Sequence, residues 1–303
     1  MMKICFLGLS GAGKTCYLYA ASHVLTEGIH TSDGSVAILS TSVSRNIFLN
    51  KGIEDLENGI KSVWPLGSSV TQDFPYDLYI NGSKKIHFEI YDYRGGALYD
   101  ETDRGQDERE ELYETFSSSR CIVVFIDAYT LMKAFSLKTE EDESFTYQRG
   151  GYEVETITKA MNKLNHLKLI INEAREKIEQ DVPILLTITK KDILFETELS
   201  VAKERLKEHM SILFSEESTN PVAITAVSLG ENLGVGEFNE DNCKRKLIGC
   251  LHLDVSQNLH IPILFPLFMG VKLSENDKNI AKRIFNNNVI QLYVKGKPAY
   301  IAF

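Results

Sequence analysis

Residues Gly8 to Thr15 read GLSGAGKT. The octet lies between an apolar run, MKICFLG, and a segment from Lys14 to about Glu27 whose apolar residues recur at helical spacing. It matches G-x-x-x-x-G-K-[ST], with Gly8, Gly13, Lys14 and Thr15 in the fixed places. The spacing has a mechanism. A turn from strand to helix can curl its backbone N–H groups around a phosphate, and glycine permits both the close approach and positive φ. The first turn of the helix adds partial positive charge. Gly8, Ser10, Gly11, Ala12, Gly13, Lys14, Thr15 and Cys16 are therefore the candidate phosphate-binding residues. Lys14 is expected to reach the β and γ phosphates, and Thr15 to meet Mg²⁺ through its hydroxyl. The bland alternative is an ordinary glycine-rich turn.

Strands and helices alternate outward from this point. Residues 44–63 carry Ile47, Phe48, Ile53, Leu56, Ile60 and Val63 along one helical face, and Trp64-Pro65 ends the run. Two strand-like runs then flank Asn81-Gly82, a strong hairpin signal. A polar helix is expected over about 107–118, with the run Glu108 to Glu111 read as a solvated face. RCIVVFIDA is the most continuous buried-strand pattern in the chain. A hydrophilic loop over 138–150, with acidic residues 140–143, leads to a long amphipathic helix over 152–179. ILLTIT and PVAITAVS read as further strands, with a helix over about 196–214 between them. Residues 230–258 are polar and weakly patterned, a final helix with breaks is expected over about 261–288, and VIQLYVKGKPAYIAF reads as a terminal hairpin. The pattern predicts an α/β fold: a mostly parallel central sheet flanked by helices, with one antiparallel strand and a helical insert before the strand that ends at Asp92.

The phosphate loop does not choose a base. ILLTITKKDIL places Thr189-Lys190-Lys191-Asp192 at the C-terminal end of a buried strand, the edge where parallel α/β sheets bind ligands. It resembles the [NT]-K-x-D guanine-specificity motif of small G-proteins. Guanine offers N1–H and its N2 amino group on one edge. A carboxylate accepts both, and adenine has no such pair. The resemblance makes Asp192 that carboxylate, lays the Lys190 stem against the base, and has Thr189 tie the loops together. HFEIYDYRGG ends a strand with Asp92-Tyr93-Arg94-Gly95 and resembles the D-x-x-G motif of the same group. By that resemblance Asp92 holds Mg²⁺, and the Gly95 N–H senses the γ phosphate. Thr71, twenty-one residues before Asp92, stands where a switch threonine stands in Ras-like proteins, with Ser68, Ser69 and Thr41 as competitors. Ala226, in PVAITAVS, is the candidate donor to guanine O6.

From residue 3 to about 228 the chain is thus similar to the P-loop GTPases of the Ras-like and TRAFAC type, and within them to the bacterial double-GTPase group. The resemblance implies a GTP-binding switch that hydrolyses GTP slowly to GDP with Mg²⁺ as cofactor. Lys14, Thr71 and Gly95 are its catalytic candidates, and Thr15, Thr71 and Asp92 its metal ligands. Residues 1–235 are expected to form the GTPase domain with its helical insert at about 42–64, and 236–303 a C-terminal extension packed on or completing it. Two positions depart from the pattern. Gly96 stands where many small G-proteins carry the glutamine that orients the attacking water, and Ser10 replaces a glycine. Arg94, Asp100 and Glu101 are nearby substitutes, each read first as an exposed switch residue. A nucleotide-holding module without turnover, and a P-loop ATPase or kinase, are the rival readings.

The net charge of −9 disfavours non-specific nucleic-acid or anionic-membrane binding. IPILFPLFMGV is too short to span a bilayer, so a cytoplasmic protein with no membrane insertion is expected. Five cysteines without a CxxC pair argue for reduced thiols, and the seven histidines show no metal-ligand spacing. Expected partners are guanine nucleotide and a protein effector or activator, with a nucleotide-dependent dimer left open.

Overall fold

The structure is a computed structural model that describes residues 2–32, 34–57, 71–137, 156–179, 181–230, 234–239, 244–248, 253, 256–270, 274–285 and 289–300. Trp64, Ser68, Ser69 and the 138–150 loop lie outside the described residues. Five strands form the parallel heart of the molecule: β1 (Met2–Gly8), β5 (Ser83–Asp92), β6 (Ser119–Asp127), β7 (Ile184–Thr189) and β8 (Val222–Ala226). β1 pairs with β5 on one side and β6 on the other, followed by β7 and β8. β1, β6, β7 and β8 are covered on both faces, which is why their sequences read as nearly unbroken apolar runs, whereas β5 is exposed over its first half.

Antiparallel strands extend both sides. β4 (Gln72–Ile80), β3 (Val36–Ser40) and β2 (Ile29–His30) add to β5. β11 (Ile290–Val294) and β12 (Lys297–Ala299) add to β8. The resulting sheet has ten strands. The expectation of one antiparallel strand is corrected: β2, β4 and β11 all run against the parallel set. β2 and β11 take their direction from pairing with β3 and β8, and two of the turns are local. Asn81 and Gly82 both have positive φ (49° and 76°), as do Lys295 and Gly296 (49° and 70°), so each pair makes a tight hairpin. A second small sheet pairs β9 (Gly234–Asn239) with β10 (Lys244–Ile248), a hairpin the polar sequence there did not signal.

Alternate residues of β1 enter two cores. Ile4 and Phe6 pack with α1 (Lys14–Glu27), α2 (Val43–Glu57), α7 (Ile261–Gly270) and α8 (Glu275–Ile284). Cys5 and Leu7 pack with α3 (Asp103–Ser118), α4 (Ala128–Ala134), α5 (Ile157–Lys177) and α6 (Glu196–His209). α2 is the described part of the helical insert and lies between β3 and β4. Its close approach to α1 requires Gly52, where a Cβ would meet the Tyr19 ring at 2.5 Å. The helical stretch expected over about 261–288, with breaks left unplaced, is α7 and α8. Among the described residues, no helix is long and apolar enough to cross a membrane. Cys5, Cys16 and Cys121 are free and buried.

The C-terminal residues join the same architecture. β11 completes the sheet beyond β8, and α7 and α8 fill the core beside α1. The Tyr17 hydroxyl on α1 donates to the Leu259 carbonyl at 2.7 Å, and Asn258 Nδ2 donates to the Ala226 carbonyl at 2.9 Å.

Candidate functional site

The C-terminal ends of β1, β5, β6 and β7 meet at one edge of the sheet, because parallel pairing brings like ends together. The loop after β1 crosses this edge. Gly11 and Gly13 take φ of 81° and 82°, a left-handed conformation that side chains with a Cβ resist. Gly13 precedes the first turn of α1 with no side-chain cap, so the helix's early N–H groups face the loop. Gly8 sits where a Cβ would come within 2.7 Å of the Phe125 carbonyl oxygen on β6. Ser10 and Gly11 are exposed at the tip, whereas Ala12 and Cys16 are buried.

Lys14 is 7 % exposed, and its Nζ donates to the Gly8 carbonyl at 2.7 Å, folded back along the loop. Burial pulls its pKa below the ordinary lysine value, opposed by the Asp92 carboxylate. Thr15 Oγ1 donates to Asp92 Oδ2 at 3.3 Å. Asp92 is 3 % exposed, and burial pushes its pKa up, opposed by Lys14 and Thr15. Its Oδ1 is buried with no hydrogen-bond partner among the described residues. A buried carboxylate oxygen without a donor, next to a threonine hydroxyl, is an oxygen set that suits a hard divalent cation. A cation at Asp92 and a polyanion at Lys14 would reverse both pKa displacements.

The turn after β5 packs directly on the loop. A Cβ on Gly95 would lie 2.5 Å from the Gly8 carbonyl oxygen, 2.6 Å from Leu9 C and 2.7 Å from Ser10 N. Main chain thus meets main chain, and only glycine fits. Thr71 lies beside this turn: its Oγ1 accepts from the Arg94 N–H at 3.2 Å. Thr41, a competitor for the same role, donates instead to the Pro75 carbonyl at 2.6 Å.

Arg94 and Asp100 are not free exposed residues, contrary to expectation. The Arg94 guanidinium binds Asp100 and Glu108, each at 2.7 Å, and is 14 % exposed. Arg109 donates to the carbonyls of Ala97 at 2.8 Å and Asp100 at 2.6 Å. Glu108 therefore turns inward from a run read as solvated. Hydrogen bonds from Thr102 and Arg94 hold the Asp100 carboxyl well below the usual carboxylate range. A Cβ on Gly96 would stand 3.5 Å from Arg94 Nη1, so the guanidinium lies over that glycine.

The β7 end closes the site from the other side. Thr189 Oγ1 donates to Ala12 O at 2.8 Å and Ile126 O at 3.3 Å, tying the phosphate loop to β6 and β7. Lys190 adopts a left-handed backbone, and its Nζ donates to Gly11 O at 3.1 Å and pairs with Asp127 Oδ2 at 3.0 Å. Asp192 follows in a short 3₁₀ turn over Lys191–Ile193, and the Lys191 N–H donates to Val227 O at 3.2 Å. Ala226 is the last residue of β8, 3 % exposed, inside the strand rather than in the loop after it. The fold therefore gathers Gly8 to Cys16, Thr71, Asp92, Gly95, Thr189 and Lys190 around one loop. Sequence reading missed Asp127, whose partner lies 63 residues away in the chain, and the inward pairing of Glu108 with Arg94.

No protein-family model matches the chain, and no curated protein matches it. Among solved structures it is similar to an ADP-ribosylation-factor-like GTP-binding protein, the small COPII coat GTPase SAR1 of Encephalitozoon cuniculi in complex with GDP. The likeness has 13% identity and a TM-score of 0.33, over 76% of this chain and 70% of that one. A match this distant assigns nothing to the chain, and the functional reading rests on the geometry above.

Proposed function

We propose that the chain is a guanine-nucleotide switch of the Ras-like P-loop type, hydrolysing GTP slowly to GDP. The observation that carries this reading is the packing of Gly95 onto Gly8–Ser10, which joins a phosphate cradle to a turn able to feel its last phosphate. Thr189 and Lys190, gripping Ala12 and Gly11 from the base side, support guanine as the base, with Asp192 as its reader. In this reading 1–235 is the GTPase domain and 236–303 completes it through β11, α7 and α8. The chain would be a TRAFAC relative of the double-GTPase group.

The chemistry asks for position and charge more than for covalent help. Loop N–H groups and Lys14 hold the phosphates. Thr15 and Asp92, with Thr71, would hold Mg²⁺, which when bound offsets charge on the phosphate oxygens. Water attacks the γ phosphorus, and the β–γ bridging oxygen leaves with GDP. Thr71 and Gly95 hold their segments while the γ phosphate is present and release them afterwards, the change an effector or activator would read. Gly96 under the Arg94 guanidinium offers no side chain to orient that water, which supports a slow intrinsic rate and keeps turnover-free nucleotide binding as the second reading.

Calorimetry with GTP and ATP, followed by a hydrolysis assay, tests the proposal. Wild type should prefer GTP, Lys14→Ala should lose tight triphosphate binding, and Asp192→Asn should move preference toward xanthine nucleotides. Tighter ATP than GTP binding would overturn the base assignment. Tight GTP binding by Lys14→Ala would overturn the cradle.

A further inference from the structure

Asp127 has no part in the nucleotide motifs quoted from the sequence, yet it joins α4, the end of β7 and, through Lys190, the phosphate loop. It ends β6, and the β6–β7 register sets it opposite Thr189. Its two carboxylate oxygens do different work. Oδ1 accepts the Tyr129 N–H at 2.9 Å and caps α4. Oδ2 pairs with Lys190 Nζ at 3.0 Å, with the Asp127 side chain only 11% exposed and that of Lys190 22%. The same ammonium donates to Gly11 O at 3.1 Å.

Lys190 is thus fixed at both ends. Its backbone is held left-handed at φ 55°, and its head is held between a carboxylate and a loop carbonyl. The methylene stem between these ends is stretched past the start of α1, where a Cβ on Gly13 would lie 4.0 Å from Lys190 Cε. A lysine stem free in water samples many rotamers, and fixing it costs entropy at the moment of binding. Here the fixing is done in advance.

We infer that Asp127 is a positioning residue for purine recognition, acting through Lys190. It holds the ammonium against the phosphate loop so that the stem presents a flat apolar face to the base. This rests on the guanine-nucleotide reading above and names a residue that reading does not contain. The role has a signature in the sign of its effects. Removing the Asp127 charge loosens the platform under the base. It also removes one negative charge from beside the phosphate loop, so inorganic polyphosphate should bind as well as before or better.

The test is a double-mutant cycle of Asp127→Asn and Lys190→Gln on the whole chain. Asn keeps an oxygen to cap α4, so the fold is retained, and thermal melts check that it is. GDP, ADP and inorganic tripolyphosphate are titrated calorimetrically. The expected result is about a tenfold loss of GDP affinity in Asp127→Asn. Tripolyphosphate affinity should be unchanged or higher, and the GDP penalty should vanish when Lys190 is already Gln. Equal losses for GDP and tripolyphosphate, or a penalty that survives in Lys190→Gln, would show a merely structural residue and overturn the inference. Full GDP affinity in Asp127→Asn would overturn it while leaving the guanine reading intact. A wild type that does not prefer GDP to ADP would overturn both.

Discussion

Replacing Gly95 with alanine puts the two halves of the candidate site in conflict at one atom. The added Cβ would stand 2.5 Å from the Gly8 carbonyl oxygen, with Leu9 C and Ser10 N at 2.6 and 2.7 Å. All three neighbours are backbone, so no rotamer change relieves the clash. An ordinary carbon–oxygen contact requires the turn or the loop to retreat by roughly 0.7 Å. Overpacking of this kind costs about 1–3 kcal/mol. For a chain this long, that lowers the melting temperature by roughly 2–6 °C. The larger effect should be on nucleotide choice. A retreat of that size stretches an N–H···O bond of about 2.9 Å beyond hydrogen-bond range. Loss of one charge-assisted bond, about 1.5–3 kcal/mol, is roughly a 10- to 150-fold loss of affinity. Only the triphosphate carries a γ phosphate, so Gly95→Ala should bind GDP within a few-fold of wild type and GTP at least tenfold more weakly. Stopped-flow fluorescence with labelled GDP and a labelled non-hydrolysable GTP analogue reads both. Equal affinities for the two nucleotides in Gly95→Ala, matching a wild type that prefers neither, would refute the idea that this turn reads the last phosphate.

Other expectations follow from individual contacts. Arg94→Ala removes the guanidinium that ties Asp100 to Glu108, leaving Glu108 with Arg104 and Asp100 with Thr102, so hydrogen exchange over residues 94–102 should speed up markedly; unchanged protection would mean Arg109 and the Thr102 cap suffice. Thr189→Val keeps the volume but strands the carbonyls of Ala12 and Ile126, and urea denaturation should show a loss of about 1–3 kcal/mol. His260 Nε2 is buried without a partner among the described residues, and burial lowers the ring's pKa from 6.5 to about 4, opposed by a backbone hydrogen bond to Ile284. The unfolded chain then takes up a proton before the folded one does. Stability is intact above pH 6.5 and drains away as pH falls toward 4, by about 2 kcal/mol at pH 5. His260→Phe should lose that increment of acid sensitivity, and parallel pH–stability curves for the two proteins would contradict it.

Motifs that act through their own local backbone were legible from order and spacing. The phosphate loop needs only a strand, two left-handed glycines and a helix, all between Met2 and Glu27. The two hairpins are local in the same way, since Asn81-Gly82 and Lys295-Gly296 carry the turn in their own φ preferences. β1, β6, β7 and β8 announced themselves because both of their faces are apolar, whereas β5, exposed over its first half, was legible through its hairpin turn. The second and third antiparallel strands were harder to foresee. Which edge a hairpin joins depends on the strand already waiting there, as β8 waits for β11.

The same boundary runs through the site. Lys14, Asp92 and Asp192 could be named from motif order alone. That Gly95 touches Gly8–Ser10, that Thr71 lies against Arg94, and that Asp127 holds Lys190 could not. Each contact spans 23 to 87 residues of chain; parallel pairing aligns the strand ends for the Gly95 and Asp127 contacts, and the antiparallel β4–β5 pair does so for Thr71 and Arg94. Charge is the clearest case. Glu108 and Asp127 look like solvated acids in a chain of net charge −9. Their burial against arginine and lysine is set by where α3 and β6 come to lie, and a carboxylate's meaning depends on the cation that the fold brings to it.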